Sequence, residues 1–375
     1  MAQLIMRTVR GVNNKLKKLR PVSAWIRLTI GAVDMFARNI LSLIAIEVGT
    51  SKTSVYQNRV GEIFSAPTLI AFKSGLSKNS RNAIAIGEEA KALIGRVPPS
   101  VEVVRPLVNG NIADTQAAIT YIKSVLSTAV PGFWIAKPRI ICAVPSASTP
   151  VTRKAFAEIF RYLGCSDVSI VPQHLAALVG SGIDFSKRGG TLIVNMGAGS
   201  TDVAITSFGT TVANTSINLG GDEMNRSIQS YLRNVRDLEI GDATVENLKL
   251  DFGCALYSDN YGNMTTTTPA KCLATRRAIV AHISKNDIAK AVKPLLDRIT
   301  DRVFDAFERV SPDIGADVLN GSAFLSGGVA RMESIQEYFT ENTAVLFQRV
   351  DGDEIVSSGL LSIISSPRKF ATYLR

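Results

Sequence analysis

Histidine and cysteine, which hold many metals in proteins, are scarce in this sequence. The 375 residues include two histidines, His174 and His282, which lie far apart in the chain. The four cysteines lie on apolar runs and form no CxxC pair: Cys142, Cys165, Cys254 and Cys272. Zinc and disulfide frameworks need closely spaced sets of such residues. We therefore expect no histidine metal centre, two ordinary partly buried histidines, and reduced core cysteines of a cytoplasmic protein.

Residues 41–375 carry little net charge. The net charge is +10, but residues 1–40 alone hold eight basic residues and one acidic residue. A nucleic-acid-binding body would carry basic residues across its fold, so we expect no nucleic-acid partner. The chain is 46% hydrophobic, which is ample for the cores of two domains of ordinary size.

The basic residues 1–40 form an amphipathic extension. Apolar side chains recur there at steps of three and four, and a second apolar stripe follows Pro21. Arg27, Asp34 and Arg38 interrupt the second stripe, so it does not predict a spanning helix. A basic amphipathic segment is typical of a helix on a membrane surface. A helix packed on the body, a targeting peptide and an incorrect start codon are the alternatives.

Two segments, about one domain apart, look like copies of one phosphate-binding hairpin. Residues 44–55 read IAIEVGTSKTSV, and residues 192–203 read LIVNMGAGSTDV. Aligned on Gly49 and Gly197, both have an apolar strand, a small-residue turn, and a second strand with Thr and Val at equal offsets. Glycine lets backbone N–H groups approach an anion closely. The pair predicts a duplicated fold that closes on one nucleotide.

From residue 41 onward, strand-like and helix-like runs alternate as in an α/β protein. Strands are predicted at 41–47, 52–57, 67–72, 139–144, 168–171, 191–196, 201–207, 211–217 and 322–326, and helices at 114–129, 150–163, 174–183, 222–234, 244–255, 285–310 and 331–340. Two glycine turns follow the hairpins, LGGDE at 219–223 and LSGGVA at 325–330. Asp222 is placed as an N-cap in the first. Between the turns, Glu246 and Lys249 share one helix face.

The order of these elements resembles the actin-like ATPase superfamily over roughly residues 35–365. Within it, the sequence is most similar to the MreB family of bacterial actins, on IGEEAK at 86–91, RPL at 105–107, KPRI at 137–140, LGGDE at 219–223 and IGD at 240–242. The resemblance implies two ribonuclease-H-like domains around a nucleotide cleft that takes ATP and Mg²⁺. DnaK-type chaperones share the phosphate motifs, but this chain has no room for their substrate domain.

The resemblance also implies domain boundaries. The extension covers 1–40, the first domain 41–185 with a small subdomain at about 72–112, the second domain 186–349 with a small subdomain at about 217–280, and residues 350–375 return to the first domain.

Roles of individual residues follow from the same resemblance. The nucleotide would be held by Gly49, Thr50, Ser51, Lys52, Gly197, Ala198, Gly199, Thr201, Gly221, Asp222, Glu246, Lys249, Gly327 and Gly328. Gln173 would orient the attacking water, and Ser200 would act at the γ-phosphate. Glu47 and Asn195 would act on Mg²⁺ weakly, through water. A plain surface pair at Glu246 and Lys249 and a plain turn at 327–328 are the alternatives.

Four positions depart from the family pattern. The family has Asp where this chain has Glu47 and Asn195, Glu where it has Gln173, and Gly where it has Val329. Losing a carboxylate weakens a magnesium site, and phosphoryl transfer depends on positioning and charge neutralisation. Gln173 alone is not disabling, because a neutral amide still orients water. We expect ATP binding with weakened hydrolysis, and whether the chain is an ATPase stays open.

An apolar loop offers a second contact with membranes. Phe133, Trp134 and Ile135 precede a predicted strand, and three large apolar side chains are costly to expose. In the MreB family the matching loop enters the bilayer. Trp suits the membrane interface, and the nearby Lys137 and Arg139 suit anionic headgroups. Packing of the three side chains into the core is the alternative.

The sequence therefore predicts a membrane-associated, ATP-binding, actin-like filament protein of the bacterial cytoskeleton that organises cell shape and cell-wall synthesis. The expected partners are further copies of the chain, the inner face of the cytoplasmic membrane and, by resemblance, the cell-wall elongation machinery. The expected location is cytoplasmic, on that membrane face. The alternatives are a monomeric ATP-binding chaperone-like or assembly ATPase, and a pseudo-ATPase that copolymerises with another MreB.

Overall fold

The computed structural model describes residues 43–73, 83–96, 98–132, 137–146, 148–186, 189–320, 323–350 and 355–370. The amphipathic extension at 1–40 and the loop residues Phe133, Trp134 and Ile135 lie outside these ranges, so both membrane predictions concern residues that are not described. Within the ranges, no helix is both long and apolar enough to cross a membrane.

The first half is built on a five-stranded sheet with an apolar central strand. In spatial order the strands are β3 (Gly61–Pro67), β2 (Lys52–Gln57), β1 (Leu43–Val48), β9 (Arg139–Val144) and β10 (Asp167–Pro172). β1 pairs antiparallel with β2 and parallel with β9. Alternate residues of β1 face opposite layers. Ile44 and Ile46 pack towards helices α2 (Thr115–Ala129) and α3 (Pro150–Tyr162), and Ala45 packs in a different cluster.

The second half repeats this sheet. Its strands, in spatial order, are β13 (Thr210–Ile217), β12 (Thr201–Ser207), β11 (Gly190–Met196), β17 (Ala323–Ser326) and β18 (Phe347–Arg349). β11 pairs antiparallel with β12 and parallel with β17. The two sheets therefore have the same strand order and the same strand directions, which confirms the prediction of two ribonuclease-H-like halves.

Smaller sheets extend each half. In the first half they are β4 (Ile70–Lys73), β5 (Ala83–Ile86) and β6 (Val101–Val104) beside helix α1 (Gly87–Ala92), and the short pair β7 (Leu107–Val108) and β8 (Asn111–Ile112). In the second half they are β14 (Leu238–Glu239), β15 (Thr265–Cys272) and β16 (Ala278–Ser284).

Helices cover the second half and connect it to the first. They are α4 (Gln173–Gly180), α5 (Gly221–Arg236), α6 (Asp242–Phe252), α7 (Lys285–Phe307), α8 (Pro312–Leu319), α9 (Ile335–Thr343) and α10 (Ile355–Ser365), with 3₁₀ turns at Asp259–Tyr261 and Gly328–Arg331. The amphipathic face of α7 fills the core between the sheet of the second half and α5.

Helices α4 and α10 lie between the halves and touch each other closely. Their apolar residues share one cluster with Ala45 of β1 and with Ile193 and Ala204 of the second sheet. A methyl group on Gly180 would collide with the backbone of α10, and one on Gly359 would collide with the backbone of α4. Glycine at these two positions lets the helices approach backbone to backbone. The C-terminal helix thus returns to the first sheet, whereas the predicted domain boundaries remain a prediction.

Candidate functional site

The two predicted phosphate hairpins have the same turn geometry. Gly49 N–H donates to the Lys52 carbonyl at 3.0 Å, and Gly197 N–H donates to the Ser200 carbonyl at 2.9 Å. Because Gly49 and Gly197 occupy aligned positions, these are one hydrogen bond repeated in the two halves. Thr201, which follows the second turn, is buried and donates from Oγ1 to the Leu219 carbonyl at 2.7 Å.

The turns of the two hairpins meet each other. Thr50 is buried, and its Oγ1 accepts a hydrogen bond of 3.0 Å from Gly110 N–H. A methyl group on Gly199 would collide with the Thr50 side chain and with Asn109 Cα. Ser200 Oγ would lie 3.3 Å from a methyl carbon on Gly110. The structure therefore brings Thr50, Gly199 and Ser200 to one place between the halves. Ser51 and Lys52 are on the exposed side of the first turn.

The second turn presents backbone donors. Among the described residues, no acceptor is bonded to the N–H groups of Ala198, Gly199 or Ser200. Successive N–H groups in a turn form a concave anion site, the kind used for phosphates. This donor set fits a polyphosphate.

The second turn also packs on the start of helix α5. Gly221 N–H donates to the Gly197 carbonyl at 3.0 Å, and Asp222 N–H donates to the Ala198 carbonyl at 2.8 Å. Asp222 lies 3.6 Å from Arg105 of the first half in an ion pair between the halves. Burial raises the pKa of Asp222, and Arg105 and Lys249 partly offset that rise. Contrary to the sequence-based expectation, Asp222 is not the N-cap of this helix, because that position is taken by Gly220.

Glu246 and Lys249 form more than a surface pair. Lys249 Nζ donates to the Gly221 carbonyl at 3.0 Å and to Glu246 Oε2 at 2.9 Å. The lysine side chain is only 8% exposed, whereas that of Glu246 is 40% exposed. Burial raises the pKa of Glu246, but the hydrogen bonds from Asn225 and Lys249 outweigh it and leave the pKa below its ordinary value. The lysine is thus anchored under the glycine turn with a carboxylate beside it.

The glycines at 327–328 lie behind the second hairpin. Gly327 has a φ of 89°, and a methyl group there would collide with the Met196 carbonyl. Gly328 has open space where a side chain would be. Val329, which departs from the family pattern, is buried. A methyl carbon placed on Gly221 would lie 3.6 Å from Val329 Cγ2. Val329 therefore lies beside Gly221, whose carbonyl accepts the hydrogen bond from Lys249.

The two positions predicted to act on Mg²⁺ are each bonded to a serine. Ser357 Oγ donates to Glu47 Oε2 at 2.8 Å. Ser326 Oγ donates to Asn195 Oδ1 at 3.1 Å, and Asn195 is buried. In the described part of the chain, no group of three or more His, Cys, Asp or Glu side chains is placed to hold a metal ion. The metal roles of Glu47 and Asn195 remain predictions.

A buried carboxyl group that was not among the predicted site residues lies on the second strand of the second hairpin. Asp202 on β12 pairs in register with Asn195 on β11 and is fully buried. It accepts hydrogen bonds from Ser146 N–H at 3.1 Å and from Ser216 Oγ. Burial raises the pKa of Asp202, and the hydrogen bonds from Ser216 and Ser146 oppose that rise. Pairing the two strands of the predicted hairpin would have placed this carboxylate opposite Asn195.

Gln173, the predicted water-orienting residue, is the first residue of α4 and is half-buried. It follows β10 of the first half and precedes His174, which is buried between the halves. The other predicted residues lie at the two turns, at the start of α5, on α6 and directly after β17.

Comparison with known proteins identifies the class. The sequence profile of the MreB/Mbl protein family matches residues 41–371, and the chain therefore belongs to that family. The cell shape-determining protein MreB of Escherichia coli K12 is 28% identical over 306 residues, covering 80% of this chain and 87% of that protein. The cell shape-determining protein Mbl of Bacillus subtilis is 26% identical over 311 residues, covering 83% and 90%.

Solved structures agree with this assignment. MreB5 of Spiroplasma citri bound to AMPPNP superposes with a TM-score of 0.80 at 25% identity, over 88% of this chain and 98% of that one. The same protein has also been solved with ADP. A MamK double helical filament gives a TM-score of 0.71 at 17% identity and supports the fold alone. The fold is actin-like.

Proposed function

We propose that this chain is an ATP-binding, self-assembling protein of the bacterial cytoskeleton that helps to determine cell shape. Membership of a family of cell shape-determining proteins supports the cytoskeletal role. The nucleotide complexes of MreB5 support ATP as the ligand. MamK, which has the same fold, forms a double helical filament, and this supports self-assembly of this chain.

The observation that carries the nucleotide proposal is the paired turn. Ala198, Gly199 and Ser200 offer three N–H groups without a protein acceptor in the described ranges, and Thr50 lies against Gly199 from the other half. Backbone donors that converge between two domains suit the phosphates. Lys249 and Glu246 lie farther along the cleft, where a cation and a carboxylate suit a base and a ribose. Bound ATP would supply a phosphoanhydride bond that water can cleave.

We propose weakened hydrolysis and a weak magnesium site. Asn195 carries no charge, and its Oδ1 accepts the hydroxyl of Ser326. Glu47 carries a charge and accepts the hydroxyl of Ser357. A metal held through water by one carboxylate and one amide is bound less firmly than one held by two carboxylates. Gln173 would orient water as a neutral amide, and Ser200 would donate near the γ-phosphate.

A titration with a fluorescent ATP analogue in the presence of Mg²⁺ tests nucleotide binding. Gly199→Ala should weaken binding at least tenfold, because the methyl group would fill the space between the turns. Gly315→Ala in α8 is the matched control, since a methyl group there makes only an ordinary contact with Phe307. Unfolding curves verify that both variants are folded. Wild-type protein that binds no analogue would overturn the proposal.

Sedimentation with ATP at several protein concentrations tests assembly. Pelleting that rises steeply above a threshold concentration is expected of a filament. A chain that stays monomeric throughout, even with liposomes, would favour the monomeric chaperone-like or assembly ATPase.

We also propose peripheral attachment to the inner face of the cytoplasmic membrane. Its support is the sequence: eight basic residues in the extension at 1–40, and the apolar loop with Phe133, Trp134 and Ile135. A polybasic segment and an apolar anchor together bind more firmly than either alone. Cell-wall elongation proteins remain proposed partners.

Flotation with anionic liposomes at low and high salt separates the two contributions. Deleting residues 1–34 should weaken binding and make the remainder less salt-sensitive, because salt screens the charged part. Replacing Phe133 and Trp134 with Ser should remove a component that salt does not affect. Neutral liposomes are the control. Full-length protein that fails to float with anionic liposomes in either nucleotide state would contradict the proposal.

A further inference from the structure

Ser146, two residues after the end of β9, joins the two halves through its backbone. Its N–H donates to Asp202 Oδ2 of the second half at 3.1 Å. Its carbonyl accepts from Asn214 Nδ2 of the second half at 3.1 Å and from Arg153 of α3 at 3.2 Å. Ser146 and Asp202 are fully buried. Buried polar groups of this kind are held in place by their hydrogen bonds, because an unpaired one is costly.

His174 extends this set of contacts across the halves. Its ring Nδ1 lies 2.8 Å from Ser146 Oγ, and its ring Nε2 lies 2.7 Å from Thr211 Oγ1 on β13. Its backbone N–H donates to Ser146 Oγ at 3.3 Å. One imidazole thus connects a serine of the first half to a threonine of the second. We call Ser146, Arg153, His174, Asp202, Thr211 and Asn214 the Ser146 network.

The ring of His174 is suited to this bridge because it is neutral. Burial, with Arg153 nearby, lowers the pKa of His174 to about 3. A neutral imidazole donates from one nitrogen and accepts at the other, and the hydroxyls of Ser146 and Thr211 take either part. Both ring nitrogens therefore find a partner without a buried charge.

The bridge ends on the first turn of α4. The residue before this helix is Pro172, which offers no side-chain cap. Ser146 Oγ instead accepts the hydrogen bond from the N–H of His174 and so caps the helix. At its other end, α4 is locked against α10 through Gly180. Gln173 lies directly before His174, so whatever fixes the first turn of α4 also fixes the backbone of Gln173.

We infer that His174 is a positioning residue: through Thr211 it ties the first turn of α4, and with it Gln173, to the second half that carries the second phosphate turn. This inference rests on the proposed ATP chemistry. A movement that separates Thr211 from His174 removes the tie, and Gln173 then loses its fixed place relative to that turn. The bridge thereby makes the orientation of water by Gln173 depend on how the halves are arranged.

Substitutions at Thr211 test the bridge, because they change one hydroxyl on the far side from Gln173. Thr211→Val keeps the shape and removes the hydroxyl, whereas Thr211→Ser keeps the hydroxyl and removes the methyl group. Thr210→Val is the matched control, because Thr210 is exposed on the same strand. For each variant we would measure ATP turnover at saturation, analogue affinity, and amide hydrogen exchange of residues 173–176 with a non-hydrolysable analogue bound.

Thr211→Val should lower turnover about fivefold, the factor for one ordinary hydrogen bond, with analogue affinity within about twofold of wild type. Exchange at 173–176 should become faster. Thr211→Ser and Thr210→Val should behave as wild type in all three measurements. Hydrogen exchange does not depend on turnover, so it gives a result even where hydrolysis is slow.

The opposite outcomes are distinct. If Thr211→Val leaves both turnover and exchange unchanged, or if Thr211→Ser is as impaired as Thr211→Val, the hydroxyl bridge has no positioning role. If affinity falls together with turnover, the threonine has only a structural role. If wild-type protein binds no analogue, the proposed function fails first and this inference falls with it.

Discussion

The two predicted phosphate hairpins have the same backbone turn and different side chains. In each, an aligned glycine N–H closes the turn, at 3.0 Å in the first and 2.9 Å in the second. In the first hairpin the acidic residue is Glu47 on the leading strand, opposite Ser54. In the second the leading strand has the amide Asn195, and the acidic residue is Asp202 on the returning strand. The turn is the same in the two halves, while the acidic residue lies on opposite strands.

The surroundings of the hairpins differ in the same way. Glu47 is bonded to Ser357 of the C-terminal helix. Asp202 is bonded to Ser146 of the opposite half and so belongs to the Ser146 network. The second hairpin is thus coupled to the interface between the halves through buried titratable groups.

The largest expected effect is on the pH dependence of stability, through His174, which bridges Ser146 and Thr211. In the unfolded chain His174 takes up a proton below its ordinary pKa of 6.5, but in the folded protein it does so only near pH 3. Between these values the unfolded state binds more protons, so stability falls as pH falls. From pH 7.5 to pH 5 this linkage lowers the free energy of unfolding by about 2 kcal/mol.

His174→Gln should remove that loss, and urea unfolding at the two pH values measures it. Asp202 acts in the opposite direction, because its pKa is raised. It is present in both proteins, however, so the difference between them reports on the histidine. Equal pH dependence in wild type and variant would show that His174 is not held neutral by the fold.

A second prediction concerns the carboxylate on the leading strand. Asn195→Asp would give the second hairpin the charge that Glu47 supplies in the first. Ser326 Oγ would still find an acceptor, so the fold should tolerate the change. ATP turnover should rise about tenfold, since a firmer metal site lowers the barrier by about 1.4 kcal/mol.

The control is Asn234→Asp, which adds the same charge at an exposed position near the far end of α5. Turnover measured with varied Mg²⁺ should show a stronger metal dependence only in Asn195→Asp. The account of the site is wrong if wild type already turns over ATP rapidly and Asn195→Asp changes nothing.

The similarity of the hairpins was predictable from sequence, whereas their coupling was not. Apolar strands and glycine turns are local patterns, and they predicted β1, β2, β11 and β12. The strands predicted from the sequence do not include β15, which is polar and contains Pro269. It is a strand because pairing with β16 buries Thr268 and Ala270 on one face.

The remaining differences also come from distant contacts. Helix α10 was not predicted, since its exposed face carries only serines, Ser358, Ser362 and Ser365, and it is stabilised by packing on α4. His174 was expected to be an ordinary, partly buried side chain. It is instead almost fully buried, because Thr211, which is remote in sequence, completes its hydrogen bonds. No periodicity in the sequence carries that information.

The smallest expected effect compares the two closing glycines directly. A methyl carbon on Gly49 would lie 2.8 Å from the Lys52 carbonyl oxygen, whereas one on Gly197 would lie 3.3 Å from the Ser200 carbonyl oxygen. The first contact forces the backbone to shift and the second needs only a slight adjustment. Gly49→Ala should therefore reduce the free energy of unfolding by about 1 kcal/mol more than Gly197→Ala does. Urea unfolding of the two variants at pH 7.5 measures the difference. Equal decreases in the free energy of unfolding would mean that both turns accommodate the methyl group equally well, and that the difference between 2.8 Å and 3.3 Å has no effect on stability.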